Sequence, residues 1–520
     1  MKTKFLLFLL LVNAEYVFGQ VLYPDDALSD YYDIVELKNV AMIKRLNIHP
    51  TMITQYKVDS LGWNPWSDQL TQITSENRYF HLLPFKTSVF FNSDYSRSYR
   101  DGPLWKGKGL TVSLQGGFTG KHGIVKYTFA PLIYYSQNSP YSLAPTMGQN
   151  DPYNYQFVNQ KIDFVQRFGA HPFTKFNLGQ SEIRMVLDWF TFGISTQNMV
   201  WGPSQFAPIL MGNNAAGIPR VELGTHHPVS TPLGDVELSF YWGVLSESNY
   251  FDNNSKNNQR YWSGAAFGFR PSFLPDLCIG LNRVLYKKGE EFDATDLSII
   301  LWRFNPPNNS NPQTGNDEYD QMGSITIEWA FTEVGFQTYF EFAKNDFGGS
   351  LVGLEPEHGR GYTMGAVKLV ELNRDKLLKL SYEHSTLDRS KSNTYRGYNR
   401  WYSHTYVQQG YTQNGQLIAG GGIGPGSNTD AFSVSFIWNL GMMSITGQRI
   451  RFDDDYFMES ILDNNRHDQE WSGIVKYTRI FNQYRLTTEL GFSGRRNMYY
   501  VQNNDHYNWM TGVSLVRKFH

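Results

Sequence analysis

The strongest constraint on this chain is an alternation of apolar and polar residues. It recurs in segments of about ten residues from residue 84 nearly to the carboxyl end. In Gly323 to Phe331, Ile325, Ile327, Trp329 and Phe331 fall on one side and Ser324, Thr326, Glu328 and Ala330 on the other. Val334, Phe336, Phe340 and Phe342 then alternate with Gly335, Gln337, Tyr339 and Glu341, so a tight hairpin is expected between the two runs. Ala431 to Leu440 and Tyr484 to Phe492 repeat the pattern. A period of two gives a strand one apolar and one polar face. Many such strands either pack face to face in a soluble sandwich or close into a barrel whose apolar faces meet lipid.

Composition favours the barrel, although a large soluble β-sandwich could share part of it. Aromatic residues make up 16 %, with 33 Tyr, 36 Phe and 13 Trp, yet mean hydropathy is −0.43. Aromatic-rich but not hydrophobic is the mark of a membrane barrel, in which lipid-facing residues alternate with polar lumen-facing ones between aromatic girdles. Beyond the first twenty residues no run of about 18 apolar residues occurs, so no membrane helix is expected. The spacers fit the barrel: some are very short, others long and polar, such as 249–260 and 305–320. Roughly 435 residues at about 24 per strand, loops included, allow about 18 antiparallel strands; such barrels normally hold even numbers, so roughly sixteen or twenty also stand.

The ends add a direction. Lys2, Lys4, the apolar run Phe5 to Val12 and the small-residue site Val17-Phe18-Gly19 read as a secretory leader over 1–19. Cys278 is the single cysteine, so an intramolecular disulfide is excluded. A formal charge of −2 gives no long-range field and no reason to expect nucleic acid. Asp25 to Asn47 has near-helical spacing of Ile34, Leu37, Val40, Ala41 and Lys44, with Asp25 or Asp26 as cap. We expect a small periplasmic helical segment and linker over 20–83, then the barrel over 84–520. The last strand, Trp509 to Phe519, resembles the terminal strand by which outer-membrane barrels are recognised for insertion, although His520 displaces the phenylalanine from the terminus.

One stretch breaks the alternation. Asn198 to Val221 carries Pro203, Pro208 and Pro219, three glycines and Asn213-Asn214, which interrupt any ladder. It also carries Trp201, Phe206, Ile209, Leu210 and Met211, too apolar for a solvated loop. The strand before it, Ser181 to Phe190, sets Glu182, Arg184 and Asp188 opposite Ile183, Met185, Leu187 and Trp189. We therefore expect the stretch to fold inward and be fixed by lumen charges, a constriction built around Trp201, Asn213, Asn214 and Arg220. Such aromatic, amide and guanidinium groups also suit a sugar polymer, so a structural plug and a glycan site both stand. In the glycine-rich 401–426 stretch, Trp401, His404 and Tyr411 with Tyr402 and Tyr406 suit glycan stacking on an external loop, or a girdle and packing role.

Other signals point away from catalysis and metals. The run of glycines 420–426 contains a proline and lacks a following helix, which excludes a dinucleotide fingerprint. His226-His227 lacks metal-site spacing, and no H-E-x-x-H or G-x-S-x-G occurs. Asp453-Asp454-Asp455 with Glu459 suits a divalent ion or, lacking a calcium loop's glycine and spacing, a solvated loop. No cofactor, metal or catalytic residue is expected.

With the strands laid out, the chain resembles the Wzi family of outer-membrane capsule-assembly proteins. The resemblance is carried by VWGPSQFAPILMGNNAAGIPRVEL from Val200, and by Trp105 to Gly120 leading to Phe129-Ala-Pro. It continues in Tyr339 to Asp346 with Gly361-Tyr-Thr-Met-Gly365, and in Trp401-Tyr-Ser-His404, Gly410 to Gly415 and Gly424-Pro-Gly-Ser427. It departs at the amino end, where one helix stands although the family can carry a helical bundle. The resemblance implies a non-enzymatic outer-membrane protein of a Gram-negative bacterium. Its partners would be capsular or other surface polysaccharide, outer-membrane lipid and the insertion machinery. A self-sealing barrel needs no partner to fold, so a monomer is expected, although the sequence leaves oligomeric state open. A porin or sugar-selective channel is the alternative reading, and an outer-membrane hydrolase a more distant one.

Overall fold

The computed structural model describes residues 78–145, 161–252, 254–302, 318–345, 356–373, 375–394, 400–420 and 423–518. It also describes 23, 26–38, 46–50, 66, 151–155 and 157. The expected leader, Asp25, Val40, Ala41 and Lys44 of the expected helix, most of the 51–77 linker, most of the 305–320 loop and Phe519-His520 lie outside these residues.

Among the described residues, twenty-three strand segments close into one barrel. In five places two consecutive segments pair with the same neighbour and are halves of one span, as Arg78–Leu82 and Phe85–Asn92 are against Phe118–His122 and Gly109–Gln115. The wall therefore has eighteen antiparallel spans, the number the spacing predicts, and its first segment begins at Arg78, ahead of residue 84. Closure comes from His506–Arg517 pairing with Phe85–Asn92, from Met510 opposite Asn92 to Arg517 opposite Phe85. No helix among the described residues is long and apolar enough to cross a membrane. A closed ring is the strand solution in lipid, because an open edge would leave unpaired amides in hydrocarbon.

The alternation sets the facing. On strand Asp320–Phe331, Ile325, Ile327, Trp329 and Phe331 are exposed outward while Ser324 and Thr326 are buried inward. On Phe336–Asn345, Phe340 is exposed and Tyr339 and Glu341 are buried. Val334, expected at the start of that strand, instead sits in the 3-10 turn Thr332–Val334. Short turns gather at one end, where both termini of the wall lie, and long connections at the other. By the usual barrel convention the short-turn end is periplasmic.

The helix spans Ala27–Leu37, capped by Asp26, whose carboxylate accepts from Leu28 N at 3.0 Å. It lies inside the short-turn end of the lumen. Leu28, Tyr31, Ile34 and Val35 pack against wall residues Val367, Leu369, Leu377, Ile437 and Met442. Tyr31 stacks on Trp66 at 4.6 Å, and Trp66 Nε1 donates to Trp438 O at 2.8 Å. Asp26 also takes Arg485 Nη2 at 2.8 and 2.7 Å, a buried pair between helix cap and wall. Further along, Asn47 brings the chain up the lumen: its Nδ2 donates to Asn282 Oδ1 at 2.7 Å and to Phe267 O at 3.0 Å. Ile48–Pro50 then pairs antiparallel with Met199–Trp201 at the barrel's centre.

Candidate functional site: the filled lumen and its external rim

Between strands Phe190–Ser195 and Arg220–Thr225 the chain turns inward, as its prolines and apolar side chains predict. Ile209, Leu210, Met211 and Trp201 are buried to 2 % exposure or less. Trp201 lies against wall residues Tyr241 and Trp262, with ring centroids at 5.6 and 6.5 Å. Its backbone is held by the chain's own amino end, Gly202 N donating to Asn47 O at 2.9 Å.

Wall carboxylates fix this plug, but they are not the expected Glu182 and Asp188. Glu383 accepts from Ser204 Oγ at 3.0 Å and from the backbone N–H of Gln205 and Ala207 at 2.7 Å and of Phe206 at 3.1 Å. Tyr339 OH donates to the same carboxylate at 2.7 Å. Glu341 accepts from Ile209 N at 3.2 Å. A charged carboxylate gathering several N–H donors is the strong form of hydrogen bond. Both glutamates stand on the polar side of alternating strands, which is the signal that marks them. Their partners are 179 and 132 residues away in sequence, which hides the pairing.

Glu182 and Arg184 face the lumen, yet they act within the wall. Lys126 Nζ lies 3.1 Å from Glu182, and Arg184 pairs with both Glu182 and Glu222. Arg220 continues the ladder, 3.0 Å from Glu222, and reaches the plug, donating to Gln197 O at 2.7 Å and Ile218 O at 3.2 Å. Arg220 thus ties both feet of the inward stretch to the wall. Asp188 does not join them: the strand ends at Leu187, and Asp188 is an exposed turn residue with φ +50°. Asn214 is buried, donating from Nδ2 to Leu417 O at 2.9 Å and accepting from Arg100 N at 3.0 Å. Asn213 is half-buried, and its carbonyl takes Gly102 N at 2.7 Å.

Residues 401–420 and 423–427 fold in above the plug instead of standing free outside the barrel. Trp401, Tyr402 and Tyr411 have no exposed surface. Tyr402 OH donates to Ile209 O at 2.9 Å, and Tyr411 stacks between Tyr402 and wall residue Tyr286 at 6.3 and 5.6 Å. His404 Nδ1 accepts from Tyr406 N and Val407 N at 3.3 and 3.2 Å, closing a local turn. These side chains serve packing; as placed, neither the girdle position nor free stacking on glycan is open to them.

Asp453, Asp454 and Asp455 are also not solvated: their exposures are 2, 7 and 0 %. Arg400 Nη1 lies 3.5 Å from Asp453, Arg451 Nη2 lies 2.9 Å from Asp454, and Asp455 accepts from Arg389 N at 2.8 Å. Burial pushes the Asp453 carboxyl up to about 7 and that of Asp454 up to about 6. The local sequence reads as polar because the arginine that covers Asp453 lies far from it along the chain. No group of three or more His, Cys, Asp or Glu able to hold a metal occurs among the described residues.

Above the plug the long connections form a rim with a cleft of about 100 Å³. Tyr99, Tyr141, Gln166, Asn214, Asp453 and Arg495 contribute to it. Arg495 is held by Asp468 at 2.7 and 2.6 Å, with its guanidinium 4.1 Å from the Phe452 ring centroid and 5.1 Å from that of Tyr499. Aromatic faces, an amide, a carboxylate and a fixed guanidinium are the groups that bind sugar hydroxyls and rings.

The chain's similarities agree with this geometry. The model of the family described as capsule assembly protein Wzi matches residues 111–442. Among solved structures, the fold is similar to that of Wzi from Escherichia coli, with a TM-score of 0.62 at 10 % identity, covering 95 % of this chain and 99 % of that one. That protein is described as an outer-membrane, carbohydrate-binding β-barrel involved in group 1 capsule assembly. OccK2 of Pseudomonas aeruginosa, solved with glucuronate, gives a TM-score of 0.42 at 10 % identity, covering 85 % of this chain and 99 % of that one. OprD of the same organism gives 0.39 at 8 %, covering 85 % and 94 %. No curated protein matches the chain by sequence.

Proposed function

The chain belongs to the Wzi capsule-assembly family, an outer-membrane β-barrel family, and from that premise we propose that it holds surface polysaccharide on its external rim without turning it over. The observation that carries this reading is the filling of the lumen. Three stretches of one chain, 46–50, 196–219 and 401–420, meet inside the wall around Trp201 and Tyr402, and the Ala27–Leu37 helix stands below them. A barrel filled in this way offers its partner the long-connection end.

On this reading the buried residues Trp201, Arg220, Trp401 and Tyr411 set the shape of the rim from beneath, and glycan contact falls to groups around Tyr99, Gln166 and Arg495. The domain division follows the same logic: the amino-terminal segment serves as an internal support to the barrel. The porin reading would need a continuous path, and a lumen cavity of about 250 Å³ does lie between helix and plug, lined by Ser433, Ser435, Ser444, Thr446 and Thr478. It is bounded by Ala27 and Asp30 of the helix and by Pro203 to Phe206 of the plug.

Deleting the gene and measuring cell-bound against shed polysaccharide tests the proposal. The expected result is a shift of polysaccharide from cells to medium, reversed by the wild-type gene. Unchanged retention would overturn it.

A further inference from the structure

Two spans fall short of the long-connection end. Strand Phe190–Ser195 stops with Ser195 opposite Glu182, and strand Arg220–Thr225 starts with Arg220 opposite Gly243. The neighbouring spans run on past this level. Phe173–Asn177 pairs with Leu132–Ser136 on one edge, and Val244, Leu245 and Ser246 pair with Tyr261, Arg260 and Gln259 on one edge. Among the described residues no strand is paired in register with their other edges; Val244 N donates to Pro219 O at 3.1 Å and Ser246 meets Gln413 and Asn414 from the inward stretches instead. In its outer half the wall is thus two strands short, about 10 Å at ordinary strand spacing.

The chain after strand Leu277–Lys288 raises a bank beside this gap. It folds back over the outer surface of the wall, where helix Asp296–Trp302 packs Ile299 and Ile300 beside Leu285 and Trp242. Trp242 Nε1 donates to Leu297 O at 2.9 Å, and Phe292 lies against Tyr261 with centroids 4.9 Å apart. The result is a trough of about 940 Å³ on the outside of the barrel. Ile183, Ile194, Val221 and Val244 form its floor, and Phe129 and Phe292 stand on its two sides. These six side chains are 36 to 55 % exposed.

An apolar concavity of this size is not left to water. It is continuous with the belt of outward apolar side chains that the barrel turns to the bilayer, so its occupant comes from the bilayer. We propose that the trough binds one acyl chain of an outer-leaflet lipid, seating it beside the connections that build the external rim. Elsewhere the outward strand faces touch lipid from one side only. Here a chain is held by a floor and two banks, and van der Waals contact on three sides favours one bound lipid over the exchanging bulk. The site depends on the barrel's place in the membrane, not on what its rim holds.

Photolabelling of the full-length protein in outer-membrane lipid vesicles, doped with a lipid carrying a diazirine in its acyl chain, tests this. Adducts mapped by mass spectrometry should show a several-fold excess at Ile183, Ile194, Val221 and Val244 over Phe432 and Ile445. The latter are equally apolar, are 51 and 50 % exposed, and lie about half-way round the ring. The double variant Ile194→Trp, Val221→Trp fills the floor with outward-pointing side chains and should remove the excess while leaving labelling at Phe432 unchanged. Equal adduct yields at trough and far wall in the wild-type protein would overturn the proposal. That wild-type pattern decides the matter even if the double variant fails to insert.

Discussion

The two fillings of the lumen are built on different physics. The helix at the short-turn end is held mainly by apolar contact, Leu28, Ile34 and Val35 against Leu377, Ile437 and Met442, with one buried ion pair at its cap. The central plug also packs apolar side chains, Trp201 and Ile209 to Met211, against the wall, but its irregular backbone is held by polar contact, its N–H groups converging on Glu383 and Glu341 and its feet on Arg220. A regular helix satisfies its own backbone and needs only a greasy socket. An irregular, proline-broken stretch cannot, and the wall must supply the acceptors. The inner face of the wall follows suit: strand Arg360–Asn373 offers Thr363 at plug level and Val367 and Leu369 at helix level.

The largest test of this contrast is Glu383→Ala. It strips acceptors from three backbone N–H groups and Ser204, each worth about 1–3 kcal/mol when left buried and unsatisfied. We expect the 203–208 stretch to lose hydrogen-exchange protection and the protein to pass ions in planar bilayers, with Glu383→Gln intermediate. Retained protection would mean that packing, not polar contact, holds the plug. Arg485→Ala is the matching test at the other filling. Breaking a buried pair of this kind costs about 3–5 kcal/mol, and the loss of protection should be confined to the Ala27–Leu37 helix.

Smaller effects refine the comparison. Tyr402→Phe removes a single buried hydrogen bond to Ile209 O, so a loss of about 1 kcal/mol is expected in denaturant unfolding, with no ion conduction. The smallest effect is a pH dependence of the external connection 452–468. Burial raises the Asp453 and Asp454 carboxyls to about 7 and about 6, above their ordinary value. Their contribution to the closed loop is therefore full below about pH 4 and lost as pH rises through about 6 to 7. After correction for intrinsic exchange, amides around Tyr456 should exchange faster at pH 8 than at pH 5, and Asp453→Asn should flatten that difference.

Much of the architecture could be read from the chain because it is written locally. A period of two, short turns and long spacers give span number and facing without knowledge of partners, and the prolines and apolar residues of 198–221 announce an inward stretch. What stayed hidden is what closure brings together. Nothing near Glu383 points to Ser204, and nothing near Asp453 points to Arg400. Asp188 departs from its expected face for a smaller reason: in sequence the polar face of Glu182 and Arg184 continues through it, whereas the chain turns there with φ +50°. The rim groups Tyr99, Gln166 and Arg495 carry no motif; the folding of separate connections assembles them.

Closure of the lumen underlies all of these expectations, and single-channel recording of the purified wild-type protein in planar bilayers measures it most directly. Closure predicts no steady conductance, with brief openings at most. A stable, wide, ohmic pore would contradict it and return the molecule to the channel reading.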